Sequence, residues 1–168
     1  GGSYNSPNIE DYYFTPWELG YGNVAKLDKG EFVGRDALAA SKDDEHRAKV
    51  SLVWNPADVA KIVEGYMSPA DELPTRYLEF PRSNYATWLY DAVSDTDGNR
   101  IGVSMYPTFL WTERSMCTLG VIDAKYSEPG TEVSFVWGEP ESRASKYLEP
   151  HRQIEVRATV APAPIGKR

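Results

Sequence analysis

The chain has 168 residues, of which 41% are hydrophobic, and this is enough for a substantial core in one or two domains. Its formal net charge of −7 argues against a nucleic-acid partner, because proteins that bind the phosphate backbone usually present a basic face. No apolar run approaches the roughly 20 residues of a membrane-spanning helix, so a membrane partner is not expected.

The first segment with a clear pattern is residues 15–38. A short apolar run at 24–27 predicts a buried strand, and a turn then leads to Gly34. A helix is predicted to begin there, with Ala37 and Leu38 on its buried side. The segment therefore predicts a short α/β unit ahead of the main body, an arrangement that α/β proteins of many kinds share.

One strand and one helix are predicted in residues 46–75, after a charged connector. Apolar side chains alternate at Val50, Leu52 and Trp54, which predicts a strand with one buried face. Asn55 is a good helix N-cap, and the proline after it suits the first helical position. The apolar residues of the predicted helix recur at spacings of three and four: Val59, Ile62, Val63 and Tyr66.

The remaining part of the chain, residues 76–168, shows only strand patterns. Asp97 and Gly98 mark a hairpin turn between two of the strands. The predicted strands are 85–92, 100–106, 116–122, 133–137 and 154–160. Frequent turns and many aromatic residues accompany them. The fold class is therefore predicted to be mainly β, an antiparallel Greek-key-like β-barrel with one or two short helices.

The order of residues in 15–38 resembles one segment of the aminomethyltransferase family, Pro-x-Glu-x-Gly followed by Phe-Ile-Gly-Arg-Glu-Ala-Leu. The matching residues are Pro16, Glu18, Gly20, Phe32, Gly34, Arg35, Ala37 and Leu38. The family includes the glycine-cleavage T-protein and the tetrahydrofolate-dependent O- and S-demethylases, and it closes with a β-barrel. Residues 4–13 and 17–22 look most like the vanillate- and syringate-type O-demethylases.

This resemblance implies a division of the chain and a function. Residues 1–45 would be the end of an N-terminal folate-binding region with its connector, and residues 46–168 the C-terminal barrel domain. The chain would be a C-terminal piece of a tetrahydrofolate-dependent methyl or one-carbon transferase. The barrel would close over the folate, which the N-terminal region would hold for the most part. The expected partners are a small-molecule methyl donor, folate and the protein's own N-terminal domain.

Three residues are candidates for contact with the cofactor, and no catalytic residue is assigned. The resemblance places the family's catalytic acid upstream, so the piece alone is expected to be inactive. Tyr4 lies where the family chain passes the active site, and a phenol can donate a proton; the alternative is an exposed tyrosine at a frayed end. Trp17 would form one wall of the folate slot, or it would only pack against neighbouring side chains. Arg114 would meet the glutamate tail of folate or remain an unliganded surface arginine.

His46, His151 and Cys117 do not form a metal-ligand pattern, so no metal is expected. Cys117 is the only cysteine and lies in an apolar run, which favours a buried, unreactive thiol. A chain without an internal disulfide indicates a reducing compartment, and we expect a cytoplasmic protein.

The alternative function is a non-catalytic β-barrel module that binds a carbohydrate or a protein partner. Tryptophans exposed on one sheet face would favour it. The first 40 residues also contain apolar side chains that would be exposed if a neighbouring domain normally covers them. These side chains are Phe14, Trp17, Leu19 and Phe32. Such a patch predicts concentration-dependent self-association of the isolated chain, or disorder near residues 1–20.

Overall fold

The computed structural model describes residues 1–79, 88–141 and 148–166. The strands in these ranges are β1 (Ala48–Trp54), β2 (Asp91–Ser94), β3 (Arg100–Leu110), β4 (Ser115–Ile122), β5 (Glu132–Trp137) and β6 (Ile154–Ala161). The helices there are α1 (Arg35–Ser41) and α2 (Pro56–Gly65), with short 3-10 turns at Ile9–Tyr12 and Ala124–Tyr126.

The strands close into an antiparallel barrel in the order β1-β4-β3-β2-β5-β6, with β6 returning to β1. Closure pairs both sides of each of these strands, which protects a β protein from pairing with other chains. This architecture confirms the predicted mainly β, antiparallel barrel. The hairpin turn is also confirmed, because the Gly98 amide donates to the Asp95 carbonyl and Gly98 has a φ of 82°.

Large aromatic side chains fill the barrel interior. The ring centroid of Trp54 lies 4.8 Å from that of Phe135 and 5.5 Å from that of Trp137. The indole N–H of Trp54 donates to the Thr118 hydroxyl, and that of Trp137 donates to the Arg76 carbonyl. Alternation along the strands places these side chains inward, and their polar atoms are satisfied without leaving the core.

Helix α2 begins as predicted, because the Asn55 side chain accepts hydrogen bonds from the Ala57 and Asp58 amides. The predicted apolar stripe is too wide, since Val63 is 42% exposed while Ile62 is completely buried. Asp58 binds Arg157 of β6, whose Nε and Nη2 lie 2.7 and 3.0 Å from the two carboxylate oxygens. This pair fixes the helix to the barrel wall.

A second apolar cluster lies outside the barrel, where the N-terminal segment covers the outer face of β2, β3 and β4. Tyr4 donates its backbone N–H to the Tyr90 carbonyl, and Tyr90 donates in return to Gly1. The buried members of the cluster are Tyr4, Val103, Met105 and Val121. The first residues of the chain are therefore packed on the barrel.

The short strand predicted at 24–27 is wrong. Residues 21–25 form turns instead, in which the amides of Val24 and Ala25 both donate to the Tyr21 carbonyl. These local bonds satisfy the backbone, and the closed barrel offers no edge for another strand. Helix α1 does start after Gly34, whose φ is 88°, but Ala37 is exposed and Leu38 only half-buried.

Two further predicted strands differ in extent from the observed ones. Residues 80–87 lie outside the described ranges, and the described part of the strand predicted at 85–92 is strand only from Asp91 onward. Strand β3 extends past the predicted end at 106, through a bulge between Met105 and Thr108 that accommodates Pro107. Pro107 interrupts the ladder without ending the strand because a bulge leaves one residue unpaired.

Candidate functional site

Tyr4 is buried at the end of a tightly fitted N-terminal segment. Gly2 has a φ of 94°, and a Cβ there would lie 2.3 Å from the Tyr90 carbonyl oxygen. The Ser3 hydroxyl accepts from the Ala92 amide and donates to the Val136 carbonyl. These contacts leave Tyr4 only 6% exposed. The alternative of an exposed tyrosine at a frayed end is therefore wrong.

The Tyr4 ring lines an open polar cavity of about 300 Å³. The guanidinium carbon of Arg100 lies 5.1 Å from the ring centroid, and the phenol O–H donates to the Asp11 carbonyl at 3.3 Å. Two arginines and three acidic residues share the cavity wall: Glu10, Asp11, Arg47, Arg100 and Asp123. Because the wall carries charges of both signs, it is a site for polar or charged groups.

Arg47 is held in place by a buried carboxylate. Its Nε lies 2.7 Å from Oε1 of Glu18, and its Nη2 donates to the Tyr13 carbonyl at 3.0 Å. Burial opposes the ionisation of Glu18, but hydrogen bonds from Arg47 and from the Thr15 backbone outweigh it and lower the pKa of the carboxyl. Glu18, which lies in the segment that resembles the family, therefore positions Arg47 at the cavity.

The phenol of Tyr4 keeps its proton at neutral pH. Burial raises its pKa, and the nearby charge of Arg100 opposes this rise only in part. A protonated phenol can serve as a hydrogen-bond donor or as a general acid. The chemistry that the resemblance attaches to Tyr4 is thus compatible with its surroundings.

Trp17 and Arg114 do not join Tyr4 in one site. Trp17 stacks on His46, with ring centroids 5.2 Å apart and planes within 9°, and it is not among the residues that line the cavity. Arg114 is exposed in the turn after β3, with a φ of 50°. Arg100 begins β3, whose eleven residues span about 33 Å, so Arg114 and Tyr4 lie toward opposite ends of that strand.

Sequence reasoning missed the two arginines of the cavity. Arg47 lies in a charged run that predicts a solvated connector, and Arg100 follows a hairpin turn. Strand register brings them together, because Ala48 of β1 and Gly102 of β3 both lie opposite Ile122 of β4. No pattern in the amino-acid sequence reveals that shared partner.

An apolar groove of about 630 Å³ runs along the N-terminal segment. Its principal apolar side chains are Phe14, Pro16, Leu19, Val24, Phe32 and Leu38. Three of the four side chains predicted to form an exposed patch lie here, and Trp17 packs on His46 instead. The described residues leave this groove open to solvent.

Neither a metal site nor a membrane span is visible in the part of the chain that the structure describes. No group of three or more histidine, cysteine or acidic side chains there could hold a metal ion. None of the described helices is long and apolar enough to cross a membrane. Burial raises the pKa of the Cys117 thiol to about 11, so the thiol keeps its proton at neutral pH.

No protein-family profile matches the chain. The chain is 42% identical over 167 residues to the syringate O-demethylase of Sphingobium sp. (strain NBRC 103272 / SYK-6). The aligned residues make up 99% of this chain and 35% of that protein. It is 29% identical over 170 aligned positions to the sesamin methylene transferase of Sinomonas sp. (strain No.22). This alignment covers 94% of this chain and 34% of that protein. The chain spans about a third of the length of these curated relatives.

These relatives do not favour the alternative of a non-catalytic binding module, since both are named as enzymes. The tryptophans do not decide between the two functions, because two of them are buried and two are exposed. Trp54 and Trp137 belong to the core, whereas Trp88 and Trp111 are exposed.

Proposed function

We propose that the chain forms the barrel region of a tetrahydrofolate-dependent methyl or one-carbon transferase of the aminomethyltransferase type, because it is similar to a syringate O-demethylase and to a sesamin methylene transferase. The observation that carries the proposal is the 42% identity to a syringate O-demethylase along 99% of the chain. An aryl methyl ether is the proposed substrate. The same proposal includes the cytoplasmic location that the single cysteine suggests.

The proposed net reaction converts an aryl methyl ether and tetrahydrofolate into a phenol and 5-methyltetrahydrofolate, which balances without an oxidant. Bound tetrahydrofolate would supply the nucleophile that accepts the methyl group. A phenol such as Tyr4, which is protonated at neutral pH, is suited to donate a proton to the leaving oxygen.

The polar cavity suits one part of the cofactor. Its volume of about 300 Å³ is at the lower end for pockets that enclose a small molecule. The wall also carries Glu10, Asp11 and Asp123, and Arg47 is paired with Glu18, so an anionic group, such as the glutamate tail of folate or a substrate carboxylate, would have to contact the cavity on the side of Arg47 and Arg100. We assign the contact with the anionic group to Arg47 and Arg100 in place of Arg114. Trp17 is proposed as a wall of the folate slot where the N-terminal region reaches it. The rest of the cofactor would be held outside this chain.

The apolar groove is the proposed contact for the protein's own N-terminal domain. The relatives are about three times as long as the chain, so a large region of each lies outside the part that matches it. The groove exposes Phe32 and Val24, which a covering domain would bury. On this proposal residues 1–45 are the end of the N-terminal folate-binding region with its connector, and the barrel domain of residues 46–168 closes over the folate.

A demethylation assay tests the proposal. The protein that contains this chain together with the region corresponding to the rest of its relatives is incubated with syringate, with and without tetrahydrofolate. We expect loss of syringate only when tetrahydrofolate is present, and no activity from the isolated 168-residue chain. Activity without tetrahydrofolate, or in the isolated chain, would place the chemistry elsewhere.

A further inference from the structure

Arg100, the first residue of β3, covers one face of the Tyr4 ring. Its guanidinium carbon lies 5.1 Å from the ring centroid, and its Nη1 donates to the Asn5 carbonyl at 3.2 Å. This hydrogen bond reaches the residue next to Tyr4, so it fixes the guanidinium relative to the ring. A cation over an aromatic face is attracted by the negative charge of that face. Arg100 therefore restrains both the ring and the backbone that carries it.

A small loop after Tyr4 also restrains the ring. The rings of Tyr12 and Tyr4 meet edge-on, with centroids 5.2 Å apart and planes at 87°. The Asp11 carboxylate closes the loop, because it accepts from the Ser6 hydroxyl and from the Asn8 side-chain amide. The Asp11 carbonyl accepts the phenol O–H at 3.3 Å, which is long for a bond between two oxygens. The loop therefore directs the phenol through a hydrogen bond that a better acceptor can replace.

Of the two arginines at the cavity, Arg100 has the stronger influence on the phenol. Arg47 is paired with Glu18, whose Oε1 lies 2.7 Å from the arginine Nε. Arg100 forms no ion pair with any residue that the structure describes. Burial raises the pKa of Tyr4, and the charge of Arg100 opposes this rise more than the charge of Arg47 does. Position and charge therefore both connect Tyr4 to Arg100.

Groups of both signs surround the phenol, and the acidic ones oppose the arginines, because a nearby carboxylate destabilises a phenolate. The titratable side chains on the elements packed around Tyr4 are Arg47 before β1, Tyr90 before β2, Arg100 of β3, Asp123 after β4, and Glu10, Asp11 and Tyr12 of the first 3-10 turn. Of these, Arg100 is the cation that lies over the ring. Its loss would leave the acidic groups without their principal counter-charge at the phenol.

We propose that Arg100 is a positioning residue for Tyr4, because it holds the phenol at the cavity and stabilises the phenolate that forms there. The inference rests on the proposed methyl transfer and adds to the anion contact proposed for Arg100. Proton donation breaks the O–H bond of Tyr4 and forms that of the product phenol. A phenolate then remains at Tyr4 until it takes up a proton, and methyl transfer to tetrahydrofolate releases one. A fixed positive charge over the ring stabilises this phenolate as it develops.

The ionisation of the phenol at position 4 tests the inference without any methyl transfer. 3,5-Difluorotyrosine placed there ionises at a milder pH than tyrosine, and fluorine NMR follows its titration in the chain. Arg100→Met should raise the measured pKa by about half a unit, the effect of a unit charge about 5 Å away in water. Arg100→Lys should restore most of the difference, and 1 M salt should reduce it. Lys125→Met is the matched control, since Lys125 lies 4.8 Å from the Tyr126 ring centroid and should not affect position 4.

Kinetics of the longer protein then separate positioning from anion binding. Arg100→Met should lower kcat roughly threefold to tenfold and move the alkaline fall of kcat to higher pH, because the phenol becomes a weaker acid. In a Tyr4→Phe background the same substitution should not change kcat further, whereas a lost anion contact would still raise KM. Thermal unfolding checks that each variant is folded. An unchanged pKa at position 4 in folded Arg100→Met, or an equal loss of kcat with and without the Tyr4 phenol, would overturn the inference. An inactive wild-type protein with the expected fluorine titration would contradict the proposed function alone.

Discussion

The backbone N–H of Ser3 donates to Oδ1 of Asp91 at 3.0 Å, although Asp91 is almost completely buried. A second buried carboxylate, Glu139, accepts from the Gly2 amide at 2.7 Å and from Arg76 at 2.9 Å. Two acids and one arginine therefore attach the first residues of the chain to the barrel. This attachment places Tyr4, the next residue, at its cavity.

The carboxyl of Asp91 makes the stability of the chain depend on pH. Burial raises its pKa to about 7, the charge of Glu139 adds to the rise, and Ser3 and Arg76 oppose it. The contribution of a raised pKa is fully present below about pH 4 and is lost as pH rises through about 7. The free energy of unfolding should fall by about 4 kcal/mol from this group across that interval.

Asp91→Asn should remove that part of the pH dependence. Urea unfolding between pH 4 and 8 measures it, as the difference between wild type and variant at each pH. Asp97→Asn, at an exposed carboxylate in the β2–β3 turn, is the matched control and should leave the wild-type slope unchanged. An Asp91→Asn protein that retains the full slope would show that Asp91 is ionised throughout.

Gly2→Ala should destabilise the chain more than Gly30→Ala. Both glycines have a φ near 90°, so both variants lose about 1–3 kcal/mol through backbone strain. The methyl carbon added at position 2 would also meet the Tyr90 carbonyl oxygen at 2.3 Å, whereas nothing lies within 4 Å of a Cβ at position 30. Denaturant unfolding compares the two. Equal losses of stability would mean that residues 1–4 do not pack on the barrel in solution.

The apolar groove should cause the isolated chain to self-associate. Sedimentation velocity at increasing concentration should show a growing fraction of dimer, which Phe32→Glu reduces because it places a charge among the groove's apolar side chains. Val33→Glu changes a fully exposed neighbour that does not line the groove, so it should associate as wild type does. If the chain is entirely monomeric at high concentration, the proposal that the groove is the contact surface for another domain would lose its support.

The proton-donor role of Tyr4 predicts a specific kinetic defect in the full-length protein. Tyr4→Phe should lower kcat for demethylation about 100-fold, the lower end of the range for a lost general acid, with little change in KM. Tyr77→Phe, at an exposed tyrosine, should retain wild-type kinetics. A Tyr4→Phe enzyme of normal kcat would leave Tyr4 a structural residue that packs beneath Arg100.

The barrel could be predicted from sequence because its signals are local. Alternation in β1 and β6, the Asn55 cap and the Asp97–Gly98 turn each depend on a few neighbouring residues, and each is confirmed. The run at 24–27 has the same apolar character, but a strand needs a partner edge. The closed barrel provides none, and local pattern cannot show this.

The candidate site was less predictable because it depends on strand register and on contacts between distant residues. Tyr4 could be found from its family resemblance, but its burial follows from pairing with Tyr90, far away along the chain. Arg47 and Arg100 line one cavity only because β1, which begins just after Arg47, and β3 share β4 as a neighbour. Arg114 has the right chemistry for an anion, but it lies toward the end of β3 that is far from Tyr4.

The fate of the methoxy carbon tests the central claim most directly. The protein that combines this chain with the region matching the rest of its relatives is given syringate labelled with carbon-13 in its methoxy groups, together with tetrahydrofolate, and the products are followed by NMR. The proposed function predicts that the label moves to 5-methyltetrahydrofolate, with one new phenol for each methyl group transferred. Label in formaldehyde, or unconsumed syringate with a folded protein, would contradict it.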